Sequence, residues 1–77
     1  MARRISLNQQ IEEVQMELDK RRSVYPRLVS SKKLGASLAQ YQMDRMEAVE
    51  RTLLWLRRHE RTFRQRCPEI FGDEAGS

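Results

Sequence analysis

Two groups of side chains in this 77-residue chain have the types and spacing to do chemistry, and both are cationic. The first is Arg51, Arg57, Arg58, Arg61 and Arg64. On a helix Arg57, Arg61 and Arg64 share a face, Arg58 is adjacent, and Arg51 extends the row upstream. Such a row can track the phosphates of a nucleic acid, contacts that give sequence-independent, salt-dependent affinity. The competing reading is a solvated face held by helical ion pairs such as Glu47–Arg51 and Glu60–Arg64. The second group is Arg22, Tyr25, Arg27, Ser31, Lys32 and Lys33, around a turn. Its cations suit a phosphate or an acidic protein surface, and its tyrosine suits either a stacked base or the edge of a core.

Covalent and metal chemistry find no such footing. Cys67 and His59 are the single cysteine and the single histidine. One cysteine excludes an internal disulfide, and the pair is too few for a zinc site. Eight positions apart on one helix, about 12 Å along its axis, they do not meet as nucleophile and base. Glu12, Glu13 and Glu17 have the spacing of an ordinary solvated helix face, without the Glu-x-x-His of a bundle metal site. There is no glycine-rich phosphate loop, no nucleophile elbow and no paired-histidine helix. The expectation is no enzyme, no catalytic residues, no metal and no cofactor. No apolar run has the length of a membrane span, and Met1-Ala2-Arg3-Arg4 leads into no apolar stretch of a secretion signal. A soluble, cytoplasmic protein without membrane partners is expected.

The elements that must position these groups are helices. Leu7, Ile11, Val14 and Leu18 recur at steps of four, three and four, a one-sided apolar stripe. Ser6 is placed as an N-cap, and Pro26 disfavours helical backbone at Tyr25, so a first helix is predicted over about 6–24. Residues 25–35 read as a turn. From 36 to about 66, Ala39, Gln42, Met46, Val49, Leu53, Leu56, Glu60 and Phe63 form a heptad-like seam. Leu38, Tyr41, Ala48, Thr52 and Trp55 widen it. No glycine or proline interrupts this run before Pro68, after which residues 68–77 read as a flexible acidic tail.

The sequence thus predicts an all-α domain over residues 1–67, a helical hairpin with a short first and a long second helix. Helices of about 19 and 31 residues span about 28 and 46 Å, so the seam outruns its intrachain partner. A chain this short, without disulfide or metal, gains most by association. Met46, Val49, Leu53, Trp55, Leu56 and Phe63 are therefore expected to form an oligomer interface, with a homodimer assembling into a helical bundle as first choice.

One pattern has a counterpart elsewhere. Arg22-Ser23-Val24-Tyr25-Pro26-Arg27-Leu28-Val29, Lys33-Leu34, Met46-Glu47-Ala48-Val49 and Thr52-Leu53-x-Trp55-Leu56 resemble small accessory proteins encoded by tailed phages and bacterial prophages. In those, a helix ending in Val-Tyr-Pro leads through a basic turn into a second helix. The resemblance covers about residues 5–60 and implies a context, a phage gene acting inside a bacterial cell, with no established activity. The function expected from it is non-catalytic binding that inhibits or sequesters a host or defence component through the turn cluster. Two alternatives stand beside it: nucleic-acid binding by the arginine row, and an oligomeric sponge for small cyclic nucleotides.

Overall fold

A computed structural model describes residues 3–68. They form three helices, α1 (Leu7–Ser30), α2 (Ala36–Arg58) and α3 (Glu60–Arg66), and no strand occurs among the described residues. The chain is all-α, as its apolar periodicity requires.

The start of α1 is fixed locally. The Ser6 hydroxyl accepts from the Gln9 backbone N–H at 3.1 Å, and the Gln9 side-chain carbonyl accepts from the Ser6 N–H at 2.8 Å. This reciprocal box satisfies two donors that a helix N-terminus leaves open. The end of α1 departs from expectation, because the helix runs through Pro26 to Ser30. Proline at this position forfeits one hydrogen bond to the Arg22 carbonyl. Arg22 and Pro26 are both exposed, so that carbonyl lies on the water side of the helix. Ending the helix at Val24 would instead dismantle the half-buried row of Val24, Tyr25, Leu28 and Val29. It would also break the bond from the Tyr25 hydroxyl to the Gln42 side-chain carbonyl, 2.9 Å. Packing outweighs the local rule.

The turn then closes tightly. The Lys33 N–H donates to the Leu28 carbonyl at 2.9 Å and the Lys32 N–H to the Val29 carbonyl at 3.0 Å. This is a Schellman ending, with Lys32 at φ 62° in the left-handed position that glycine usually fills.

The predicted long second helix is broken at His59, whose backbone (φ −106°, ψ 17°) separates α2 from α3. The break is a kink of one residue. The His59 N–H still reaches the Trp55 carbonyl, and the Phe63 N–H reaches the His59 carbonyl, each at 3.1 Å. With 24 residues in α1 and 23 in α2, the two main arms differ by one residue and are not short and long. Beyond the kink, Phe63 packs with Leu53, Leu54 and Leu56 against Leu7 and Ile11. Leu53, Leu56 and Phe63, expected at a contact with a second chain, are partly covered from within.

Cross-links fix the direction of packing. Asn8 meets Arg57 (3.2 Å), Gln15 meets Glu50 (3.3 Å), and Arg21 donates to the Gln42 carbonyl (2.9 Å). α1 and α2 thus lie side by side in opposite directions. The core between them is slender: Leu7, Ile11, Leu18 and Ala39 are the buried apolar residues among those described, and Leu18 is fully enclosed.

Candidate binding surfaces

Opposed helices bring together charges that are distant in sequence. At the turn end stand Arg27, Lys32 and Lys33, with no acid between Asp19 and Asp44 in the sequence, while Arg21 and Arg22 reach back to Glu17, Asp19 and Glu47 of the waist. At the waist, Glu12, Glu13, Glu17 and Asp19 on α1 lie level with Asp44, Glu47 and Glu50 on α2, against Arg45 and Arg51. At the far end, Arg57, Arg58, Arg61, Arg64 and Arg66 stand beyond the start of α1, with Glu60 the one acid after Glu50 among the described residues. The result is a rod with basic ends and an acidic waist. Summing charge along the chain hides this pattern; summing it across helix levels, with the first stripe paired antiparallel to the second, would have found it.

The turn cluster does not form as one site. Tyr25 is half-buried, with its hydroxyl on Gln42 and the Arg21 guanidinium over its ring at 5.7 Å. That is the core-edge use of a tyrosine, and it leaves the ring less suited to a stacked base. Arg22 reaches Asp19 at 3.3 Å and Glu47 at 3.7 Å. The Ser31 hydroxyl donates to the Leu28 carbonyl at 3.2 Å. Arg27, Lys32 and Lys33 remain as the exposed cations at the tip. A cavity of ≈ 510 Å³ adjoins them, lined by Arg21, Arg22, Tyr25, Pro26, Ala39 and Met43 among others. Both of its arginines are already paired with carboxylates.

The arginine row is also divided. The kink interrupts it, Arg57 donates to the Asn8 side-chain carbonyl at 3.2 Å, and Arg64 pairs with Glu60 at 3.1 Å. Arg51, Arg58 and Arg61 are exposed. Arg51 and Arg58 share the outward face of α2 with Trp55, four positions after one and three before the other. Trp55 is 50% exposed, and its ring packs on His59 (centroids 4.9 Å) and edge-on to Phe63 (5.4 Å).

The residues expected at an oligomer interface fall into three places. Leu53, Leu56 and Phe63 serve the internal cluster. Trp55 faces outward. Met46 and Val49 line an open groove along one flank, continued by Val14, Leu53 and Ile5. Ile5 and Val49 are exposed there. Leu38 and Tyr41, expected to widen the seam, are exposed on α2.

Among the described residues no group of three or more His, Cys, Asp or Glu side chains is placed to hold a metal ion. No described helix is long and apolar enough to cross a membrane. The acidic tail expected over residues 68–77 lies, beyond Pro68, outside the described residues. No family model, curated protein or solved structure matches the chain.

Proposed function

We propose that this is a non-catalytic phage accessory protein that works by stoichiometric binding, as a homodimer, inside a bacterial cell. Its partner is a host or defence component with an acidic surface, which it inhibits or sequesters. The observation that carries the reading is the acid-free turn end, where Arg27, Lys32 and Lys33 project from a rigid Schellman ending. Clustered cations on a firm scaffold steer and hold an anionic surface. The flank groove of Val14, Met46, Val49 and Leu53 supplies the dimer contact, because covering it enlarges a core of four buried residues. The test is affinity capture from a bacterial lysate with the wild type and with a Arg27→Glu/Lys32→Glu/Lys33→Glu variant. A partner retained by the wild type and lost by the variant is expected. The same protein retained equally by both would refute the role of the turn end.

A second reading has its own observation. Arg3 and Arg4 stand a few residues before α1, and the start of that helix meets the arginine row where Asn8 accepts from Arg57. Among the described residues Arg57, Arg58, Arg61, Arg64 and Arg66 outnumber Glu60 there, which favours phosphate contacts, for which the guanidinium fork is well shaped. A salt titration of binding to labelled DNA and RNA tests it. Affinity that falls steeply with salt, and falls further on Arg58→Glu/Arg61→Glu, is the expected result. The nucleotide-sponge reading is the least favoured, because the Tyr25 hydroxyl and both adjoining arginines are engaged within the chain.

A further inference from the structure

An exposed tryptophan ringed by arginines is an unusual surface for a chain whose core is so small. Trp55 has Arg51 one turn before it and Arg58 one turn after it on the same outward face of α2. Side chains at these spacings are neighbours, with Cβ atoms about 5–6 Å apart. His59 and Phe63 pack on the indole from the kink side and fix its orientation, while half of its surface stays open. Arg61 continues the cationic strip onto α3. In the other direction the strip ends at Glu47, which lies one turn before Arg51 and pairs with Arg22 at 3.7 Å.

We infer that Trp55, Arg51 and Arg58 form a binding site for single-stranded nucleic acid, a base stacking on the open indole and flanking phosphates meeting the two guanidinium groups. The inference rests on the second reading above and names its ligand class. Several features favour a single strand over a duplex or a second copy of this chain. A base must be unstacked to lie on an indole, which a duplex does not offer and a single strand does. The strip is one helix face with no recognition helix to enter a groove. A twofold contact between two such faces would set Arg51 and Arg58 of one chain against arginines of the other. The oriented, half-open ring also resembles a stacking platform more than a core residue, since its burial is incomplete within the fold.

The test uses the intact chain and its own reporter, because Trp55 is the only tryptophan. Titration with an unlabelled oligothymidylate of about ten nucleotides should quench the tryptophan fluorescence, and a duplex of equal phosphate number should bind more weakly and quench less. Trp55→Ala should weaken single-strand binding, read by anisotropy of a labelled oligonucleotide, by roughly tenfold or more. Trp55→Phe, which keeps a ring, should retain most of it. Arg51→Ala and Arg58→Ala should each reduce the salt dependence of log K by about 0.7. Circular dichroism at 222 nm shows whether each variant keeps its helices, and a Trp55→Ala chain that unfolds leaves the quenching and Arg58→Ala arms to decide. Equal binding of duplex and single strand without quenching overturns the inference and leaves the nucleic-acid reading standing. No binding of either overturns both. A self-association that Trp55→Ala abolishes, with no quenching by oligonucleotide, assigns the face to a second copy instead.

Discussion

Replacing Pro26 by alanine should make this protein more stable, and the size of the gain follows from the geometry of α1. The helix passes through position 26 and continues to Ser30. A proline there is about 3 kcal/mol worse than alanine in an unstrained helix interior. Part of that is the missing bond to the Arg22 carbonyl, about 0.5–1.5 kcal/mol net. Two effects reduce the gain. Position 26 stands in the last turn and a half, where helices relax, and proline restricts the unfolded chain by about 0.4–1 kcal/mol, which alanine gives back. Pro26 is exposed, so trimming its ring opens no cavity. The net expectation is about 1–2 kcal/mol of added stability, or about 4–16 °C in Tm for a domain of this size. Thermal and urea unfolding followed at 222 nm, at one fixed protein concentration, measure it. If α1 ended at Val24, as the proline alone would suggest, the substitution would gain almost nothing. A neutral or destabilising result would therefore refute the continuous helix.

Other predictions are simpler. Leu18→Ala, at the fully enclosed centre of α1, should cost about 2–5 kcal/mol by urea unfolding, a large share of the stability of so small a domain. Ser6→Ala removes half of the capping box and should cost about 1 kcal/mol by the same measurement. Lys32→Gly relieves a left-handed backbone and should raise stability by about 0.5–1 kcal/mol, while Lys32→Val should lower it. Val49→Glu, in the flank groove, should lower the light-scattering mass of the proposed dimer to that of one chain without loss of helicity; a wild-type mass of one chain would refute the dimer, and a dimeric variant would refute the groove as its contact.

The apolar rhythm of Leu7, Ile11, Val14 and Leu18 was enough to read the fold class and the buried face of α1, because three of those four positions are the ones enclosed. Ser6 was legible for the same reason: a cap is a local event, decided within four residues. What misled were positions where tertiary packing competes with a local preference. Pro26 argues for a stop, but Leu28, Val29 and the Tyr25–Gln42 bond lie beyond or beside it and hold the helix together. The His59 break has no proline or glycine to announce it, and beyond it Phe63 packs against Leu7 and Ile11. The cationic residues were all visible as candidates. Which of them stay available depended on partners such as Asn8 for Arg57 and Glu47 for Arg22, distant in sequence and adjacent only after folding.

The banding of charge along the rod, 49 Å in its longest dimension, has an electrostatic consequence of its own. Neighbouring bands are centred about 20 Å apart, at 1.5 Å per helical residue. At physiological ionic strength the screening length is about 8 Å, so a ligand approaching one end feels that end alone. In very dilute salt the screening length grows to about 30 Å, the three bands overlap, and the waist cancels much of what the ends project. Viewed from afar the molecule then acts mainly through its net charge of +4, with a linear quadrupole superposed that fades faster with distance. Its attraction for a distant polyanion in dilute buffer is weaker than the count of basic residues at its ends would suggest. Removing salt should strengthen long-range capture less than it does for a protein with all its cations on one face.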